Sequence, residues 1–298
     1  MTVTPEIMSD SPAKMDEKDV GRIVRVVRPD PLTASPVILS SPHSGRDYLP
    51  RLCAGTSVPV EKLRCSEDAY VDLLIEGGPA VGANLICALF PRVFVDVNRA
   101  ADELDARMYR DRLAIGPASS SRRVACGLGV IPRVGSDGQP LYARRMNFAE
   151  AQDRLSTFYA PYHDNLAALI GEVRDRFGFA VVLDMHSMPE HSARGIDFVL
   201  GDRFGQSCDN RITIAIESGL REQGFVTVRN TPYAGGHTTE HYGKPDSGVH
   251  VIQIEINRAL YLHESRVAMK PGFDAFRSEL QKFINRFTRQ DWDWLVPS

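Results

Sequence analysis

Short apolar runs rich in β-branched residues recur along this chain, and stretches with a helical 3.6 period stand between them. The runs are IVRVV (23–27), VILSS (37–41), ANLICALF (83–90), RVFVDV (92–97), AVVLDM (180–185), DFVLG (197–201), VTVRN (226–230) and HVIQIEI (250–256). Helical patterns cover 68–75, stopped by Gly77-Gly78, and 148–177, where Pro161 kinks or divides the element. Two more cover 208–223, with Ile212, Ile216 and Leu220 on one face, and a last stretch carrying Phe273, Phe276, Leu280, Phe283, Ile284 and Phe287. Strands alternating with helices of this size predict a three-layer α/β domain around a mostly parallel or mixed sheet. Residues 21–298 read as a single domain. The polar residues 1–20 lack the apolar stretch of a secretory signal and read as a disordered leader.

Charge narrows the choice of partners. The 35 basic and 38 acidic residues give a net charge of -3, no basis for expecting nucleic acid or an anionic membrane. No apolar run approaches the roughly 20 residues that span a bilayer. The five cysteines are scattered, without a C-x-x-C pair, and fit thiols in a reducing cytoplasm better than disulfides or a cysteine-held zinc.

In open α/β sheets, sites form at the carboxyl ends of strands, and here several strands end in polar chemistry. VILSSPHSG places His43 just after a strand, and RVFVDVNR delivers Asp96, Asn98 and Arg99. AVVLDMHSM puts Asp184 and His186 on one face, because strand side chains alternate. In HVIQIEIN, Ile252, Ile254 and Ile256 share one face while Gln253, Glu255 and Asn257 share the other. A carboxylate inside an apolar strand is costly unless it is paired, bonded or functional. Taken singly, each residue has a bland reading: a capping histidine, Arg99 paired with Asp96 or Asp102, Glu255 paired with Arg258. Together they predict a convergent site resembling a catalytic zinc centre, with about three His and carboxylate ligands and one open position. Glu255 suits the general base, Arg99 the clamp on a substrate carboxylate, and Asp184 the partner that holds a ligating histidine in one tautomer.

The segment HTTEH (237–241) has the H-x-x-E-H spacing of inverted zinc proteases, which works on a helix. Glycines on both sides and two threonines within it predict a loop instead, from which His241 could still face the site.

SPHSGRDYLP, FPRVFVDVNRAADELD, GLGVIPRV, YHDNL, LDMHSMP, LGDRFGQSCD, NTPYAGG, HYGKP and HVIQIEINRALY together resemble the N-formylglutamate amidohydrolase family, over roughly residues 36–263. The resemblance implies a phosphorylase/hydrolase-like, zinc-exopeptidase-like fold, related to zinc carboxypeptidases and to aspartoacylase and succinylglutamate desuccinylase. It implies His43 and His186 as zinc ligands, Glu255 as the base, and Asn98-Arg99 as the pair gripping a substrate carboxylate. The related deacylases use H-x-x-E, but Arg46 stands three residues after His43. Asp47, Glu67 and Asp68 are therefore the candidates for the third ligand, with Asp68 favoured. His237 departs from the aromatic residue that family members carry after the two glycines, leaving His241 the better candidate of the two. Arg46, Asn98, Arg99, His241 and Asn257 are the expected substrate contacts.

The function implied is zinc-dependent hydrolysis of an N-acyl amino acid, N-formyl-L-glutamate above others, by a cytoplasmic enzyme of histidine degradation. The rivals are a deacylase for another acyl group, a carboxypeptidase-like peptidase, and a metal-free binding protein on the same fold.

Overall fold

The computed structural model describes residues 23–53, 55–111 and 120–295; the polar leader lies outside the described residues. The apolar runs become strands β1 (Val24–Val27), β2 (Val37–Ser41), β3 (Asn84–Ala88), β4 (Ala180–Met188), β5 (Phe198–Gly201), β6 (Thr227–Arg229) and β7 (Val249–Asn257). They form one seven-stranded sheet in the order β1-β3-β2-β4-β7-β5-β6. Pairs β3–β2, β2–β4, β4–β7 and β5–β6 are parallel. Pairs β1–β3 and β5–β7 are antiparallel, so the sheet is mixed. Every residue of β4 and β7 is buried, as expected for strands covered on both faces.

Strand alternation sorts the cover into two layers. On one face Val181, Leu183, Met185, Ile252, Ile254 and Ile256 pack against α1 (Val71–Ile75), α4 (Asn210–Glu222) and α6 (Phe273–Thr288), through residues such as Leu74, Ile216 and Phe283. On the other face Ile38, Val182 and Val251 meet Phe158, Tyr162, Leu166 and Leu169 from the long element 148–177. That element is α2 (Phe148–Arg154), a π-type turn (Leu155–Tyr159) and α3 (Ala160–Phe177). Pro161 has no N–H to give to the preceding turn, and the wider turn absorbs the missing bond without breaking the helix.

One expected strand is absent. Residues 92–97 form turns, although Val95 and Val97 are fully buried. The Asp96 N–H donates to the Val130 carbonyl rather than to a ladder, so the alternation of RVFVDV records burial against the sheet, not membership of it.

Topology then fixes where a site can form. From β2 the chain passes through α1 to β3 on one side; from β3 it crosses back through α2 and α3 to β4 on the other. The carboxyl ends of β2 and β4 therefore flank a switch point, where outgoing loops diverge and leave a crevice. His43 follows β2 and His186 lies near the end of β4.

Candidate metal centre

Three segments converge at that crevice. Pro42 follows the last residue of β2, His43 is buried just beyond it, and Gly45 comes where an added Cβ would sit 2.1 Å from the Phe90 carbonyl oxygen. The Asp68 N–H donates to the His43 carbonyl at 3.0 Å, and the Ser44 hydroxyl donates to the Asp68 carbonyl at 3.1 Å. Asp68 thus sits in the loop ahead of α1, beside Tyr70, whose φ of 64° is the left-handed conformation that non-glycine residues avoid. His186 comes from β4, directly across from Glu255 on β7.

Their polar atoms meet in one place. Asp68 Oδ2 lies 3.0 Å from His186 Nδ1 and 3.3 Å from His43 Nδ1. One ligand atom from each of the three residues falls within 4.8 Å of the others, and all three residues are buried. Each histidine gives its far nitrogen to another carboxylate: His43 Nε2 to Asp96 Oδ1 at 2.7 Å, His186 Nε2 to Asp184 Oδ2 at 3.0 Å. Each Nε2–H donation leaves the Nδ1 lone pair free to ligate. His43 Nδ1 has no hydrogen-bond partner although it is buried. Ligand atoms about 2.0–2.1 Å from a tetrahedral zinc stand roughly 3.3 Å from one another, close to both contacts of Asp68 Oδ2. An orphaned imidazole nitrogen within an N2O donor set is what a catalytic zinc, with one open position, requires.

The surrounding charges favour a cation. Burial pulls the His186 imidazole down, but the Asp184 charge and the bonds to Asp184 and Asp68 outweigh it and push it well above the usual histidine range. Burial would raise Asp68, yet its contacts to His186 and His43 and the Arg92 charge hold it well below the carboxylate range. Asp68 Oδ1 is turned to Arg258 Nη2 at 3.0 Å, which keeps Oδ2 facing the imidazoles. Asp96 is braced on its other side by Arg92 at 2.8 Å.

His43, Asp68, Asp96 and His186 line a cavity of about 460 Å³ together with Asn98, Arg99, Arg123, Gln253, Glu255 and Gly236. Burial pushes the Glu255 carboxyl up to about 7, with Asp68 adding to the rise and His186 and Arg92 opposing it. Arg99 donates to the Leu128 and Asn98 carbonyls, and burial with the nearby Arg92 and Arg123 charges pulls its pKa down. Arg123 is exposed at the rim and makes no ion pair among the described residues.

Several expected contacts fall elsewhere. Arg46 is drawn to Asp72 at 2.9 Å and does not line the cavity. Asn257 bonds the Ile196 carbonyl and the Ala259 N–H, which fixes its amide away from the cavity. Asp47 is exposed, and the Glu67 carboxylate is taken by Tyr48 and Arg64. Arg258 pairs with Asp68 instead of Glu255. HTTEH is not a loop but helix α5 (His237–Tyr242): the buried Thr239 hydroxyl donates to the Gly236 carbonyl, and Thr238 is satisfied by Asn98. The rings of His237 and His241 stack at 5.1 Å, as residues four apart on a helix do, but neither lines the cavity. Asp96 and Gln253 each stand two residues from a side chain that the sequence singles out, Asn98 and Glu255, whereas nothing in the sequence points to Arg123.

Residues 35–262 match the family model described as N-formylglutamate amidohydrolase. The N-formylglutamate deformylase of Pseudomonas aeruginosa is 30% identical over 239 residues, covering 77% of this chain and 83% of that protein. The enzyme of the same name from Pseudomonas putida is 27% identical over 240 residues, with the same coverage of 77% and 83%. The crystal structure of N-formylglutamate amidohydrolase from Ralstonia eutropha JMP134 superposes with a TM-score of 0.84 at 33% identity, over 90% of this chain and 97% of that one. The match spans the β2 loop, the Asp68 segment and both central strand ends that build the cavity, so the chain belongs to the N-formylglutamate amidohydrolase family.

Proposed function

We propose that this chain hydrolyses N-formyl-L-glutamate to formate and L-glutamate, using one zinc ion held by His43 Nδ1, His186 Nδ1 and Asp68 Oδ2. The observation that carries the reading is the orphaned His43 Nδ1 facing Asp68 Oδ2 and His186 in the cavity that Glu255 also lines. A bound zinc would supply Lewis acidity, making water acidic near neutral pH and polarising the formyl carbonyl. Glu255 accepts the proton of the attacking water and returns it to the leaving amide nitrogen, so the C–N bond breaks without expelling an amide anion. A carboxyl raised to about 7 is matched to both halves of that task. Arg99 and Arg123 offer guanidinium groups to the two carboxylates of a glutamate-derived substrate. Asp96 and Asp184 hold the imidazoles in the ligating tautomer. The setting we assign is histidine degradation in the cytoplasm, as the family resemblance implies.

The test is metal content and formate release on one purified sample, with and without a chelator, across N-formyl-, N-acetyl- and N-succinyl-glutamate and a dipeptide panel. About one zinc per chain with chelator-sensitive formate release is expected. Glu255→Gln keeps the metal and loses roughly 10²- to 10⁴-fold in kcat. Zinc binding without formate release would discard the substrate, and wild-type turnover in Glu255→Gln would remove Glu255 from the mechanism.

A further inference from the structure

We propose that Gln253 is a positioning residue for Glu255, its orientation dictated from the first turn of α5 through Asn98; this rests on Glu255 being the base. The Thr238 backbone N–H donates to Asn98 Oδ1 at 2.8 Å and the Thr238 hydroxyl donates to the same oxygen at 3.1 Å. A backbone N–H can only donate, so it fixes which end of the Asn98 amide is oxygen. Asn98 Nδ2 must then face Gln253, donating to its Oε1 at 3.3 Å. Gln253 Oε1 is thereby an acceptor, and its Nε2 donates to Glu255 Oε1 at 2.8 Å. Every link runs in one direction.

The four residues are buried: Thr238 is 0% exposed, Asn98 3%, Gln253 5% and Glu255 7%, the last three forming part of the cavity wall. In such low-dielectric surroundings each bond is stronger than it would be in bulk water. Gly236 holds the relay in place: an added Cβ there would lie 2.5 Å from both Asn98 Nδ2 and Asn98 Oδ1. Asn98 Nδ2 also lies 3.3 Å from His186 Nε2, but that nitrogen donates to Asp184, so the contact competes with neither bond. At the far end, Glu255 Oε1 is engaged while its other oxygen makes no hydrogen bond among the described residues. Donation to a carboxylate is the stronger, charge-assisted kind, and it holds the side chain in one rotamer beside the cavity. β7 makes this possible, because Gln253 and Glu255 lie two residues apart on one face, opposite Asp184 and His186.

Gln253→Met keeps the volume and removes the donor. Expected is a kcat lower by about 10- to 100-fold, with KM and zinc content unchanged to within about two-fold. In a Glu255→Gln background the same substitution costs nothing further, because the group it positions is already gone. An unaffected kcat, or the same fold-loss in both backgrounds, overturns the proposal, the second result marking a merely structural residue. A readout independent of activity is thermal unfolding of the chelator-treated protein. At pH 9, where both carboxyls are ionised, Gln253→Glu alone sets acceptor against acceptor and lowers Tm by about 2–6 °C. The swap Gln253→Glu with Glu255→Gln restores a donor–acceptor pair, so Tm returns while turnover stays lost. Equal Tm in the single and swapped proteins sinks the relay even if Gln253→Met does not fold. Wild-type turnover in Glu255→Gln would instead remove the base assignment, and the swap would still report whether the two side chains are bonded.

Discussion

His43 and His186 each stand between two carboxylates, whereas His163, His237 and His241 stand among hydroxyls, a carbonyl and one another. His43 touches Asp68 at 3.3 Å and Asp96 at 2.7 Å; His186 touches Asp68 and Asp184, both at 3.0 Å. His163 bonds the Tyr242 hydroxyl at 2.8 Å and the Val97 carbonyl at 3.0 Å, and His237 meets the Tyr159 hydroxyl at 3.2 Å. The consequences diverge. His186 is pushed well above the usual range by its carboxylates, while burial pulls His163 and His237 down to about 4. A field strong enough to hold a proton on His186 also attracts a metal cation; His163 and His237 are held neutral and pack. Spacing pointed the other way, since H-x-x-E-H has the look of a metal motif and S-P-H-S-G does not. The partners around a histidine decide its role, and spacing along the chain does not.

The largest expected break in that contrast comes from a ligand. His186→Ala removes one of three donors, so zinc should be lost on dialysis and turnover should fall by roughly 10³-fold or more. Next come the outer carboxylates: Asp184→Asn and Asp96→Asn should each weaken zinc about 10- to 100-fold in competition with a calibrated chelator. An amide in either place ceases to bind the imidazole N–H as an anion and lowers the basicity of the ligating nitrogen. Wild-type zinc affinity in both variants would mean that the carboxylates are ion-pair scaffolding and that the contrast with the α5 histidines is accidental. His237→Ala should leave zinc content unchanged, because its ring does not line the cavity.

Much of this was legible in sequence because it follows from short-range pattern. Alternation in AVVLDMHSM and HVIQIEIN placed Asp184, His186, Gln253 and Glu255 on one face, and β4 and β7 pair in the register that sets His186 opposite Glu255. What sequence could not carry was anything decided by contacts between distant segments. RVFVDV has the alternation of a strand, but its N–H groups go to Val130 and Pro91, 3 to 34 residues away, instead of to a ladder. Arg46 was a reasonable substrate contact until Asp72, buried at the start of α1, drew it aside. The helix at HTTEH needed Asn98 to satisfy Thr238 across a separation of 140 residues. Asp96 and Gln253 gain their roles only when three strand ends are brought together.

The smallest expected effect sharpens the contrast on stability alone. A histidine near 4 in the fold and near 6.5 in the unfolded chain is held neutral by folding. Above pH 6.5 neither state is protonated at that site and its full stabilisation is present. As pH falls from 6.5 to 4 the unfolded chain takes a proton that the folded protein refuses, and stability declines. For His163, partly screened by residual exposure, the loss should be of order 1–2 kcal/mol. Other buried groups act in other windows. Asp68 and Asp96, held well below the carboxylate range, contribute stability that is lost only at still lower pH. His186, raised, contributes in the opposite sense, losing its stabilisation as pH climbs above 6.5 in metal-free protein. His237, also near 4, shares that window, and His250, lowered by burial, loses stabilisation in the same sense as pH falls below 6.5. His163→Gln keeps a donor for the Val97 carbonyl but cannot titrate. In chelator-treated protein it should flatten, without abolishing, the fall in Tm between pH 6.5 and 4, and leave the profile above pH 6.5 unchanged. A wild-type slope in His163→Gln would mean that His163 is charged in the fold, and the division between caged and neutral histidines would have to be redrawn.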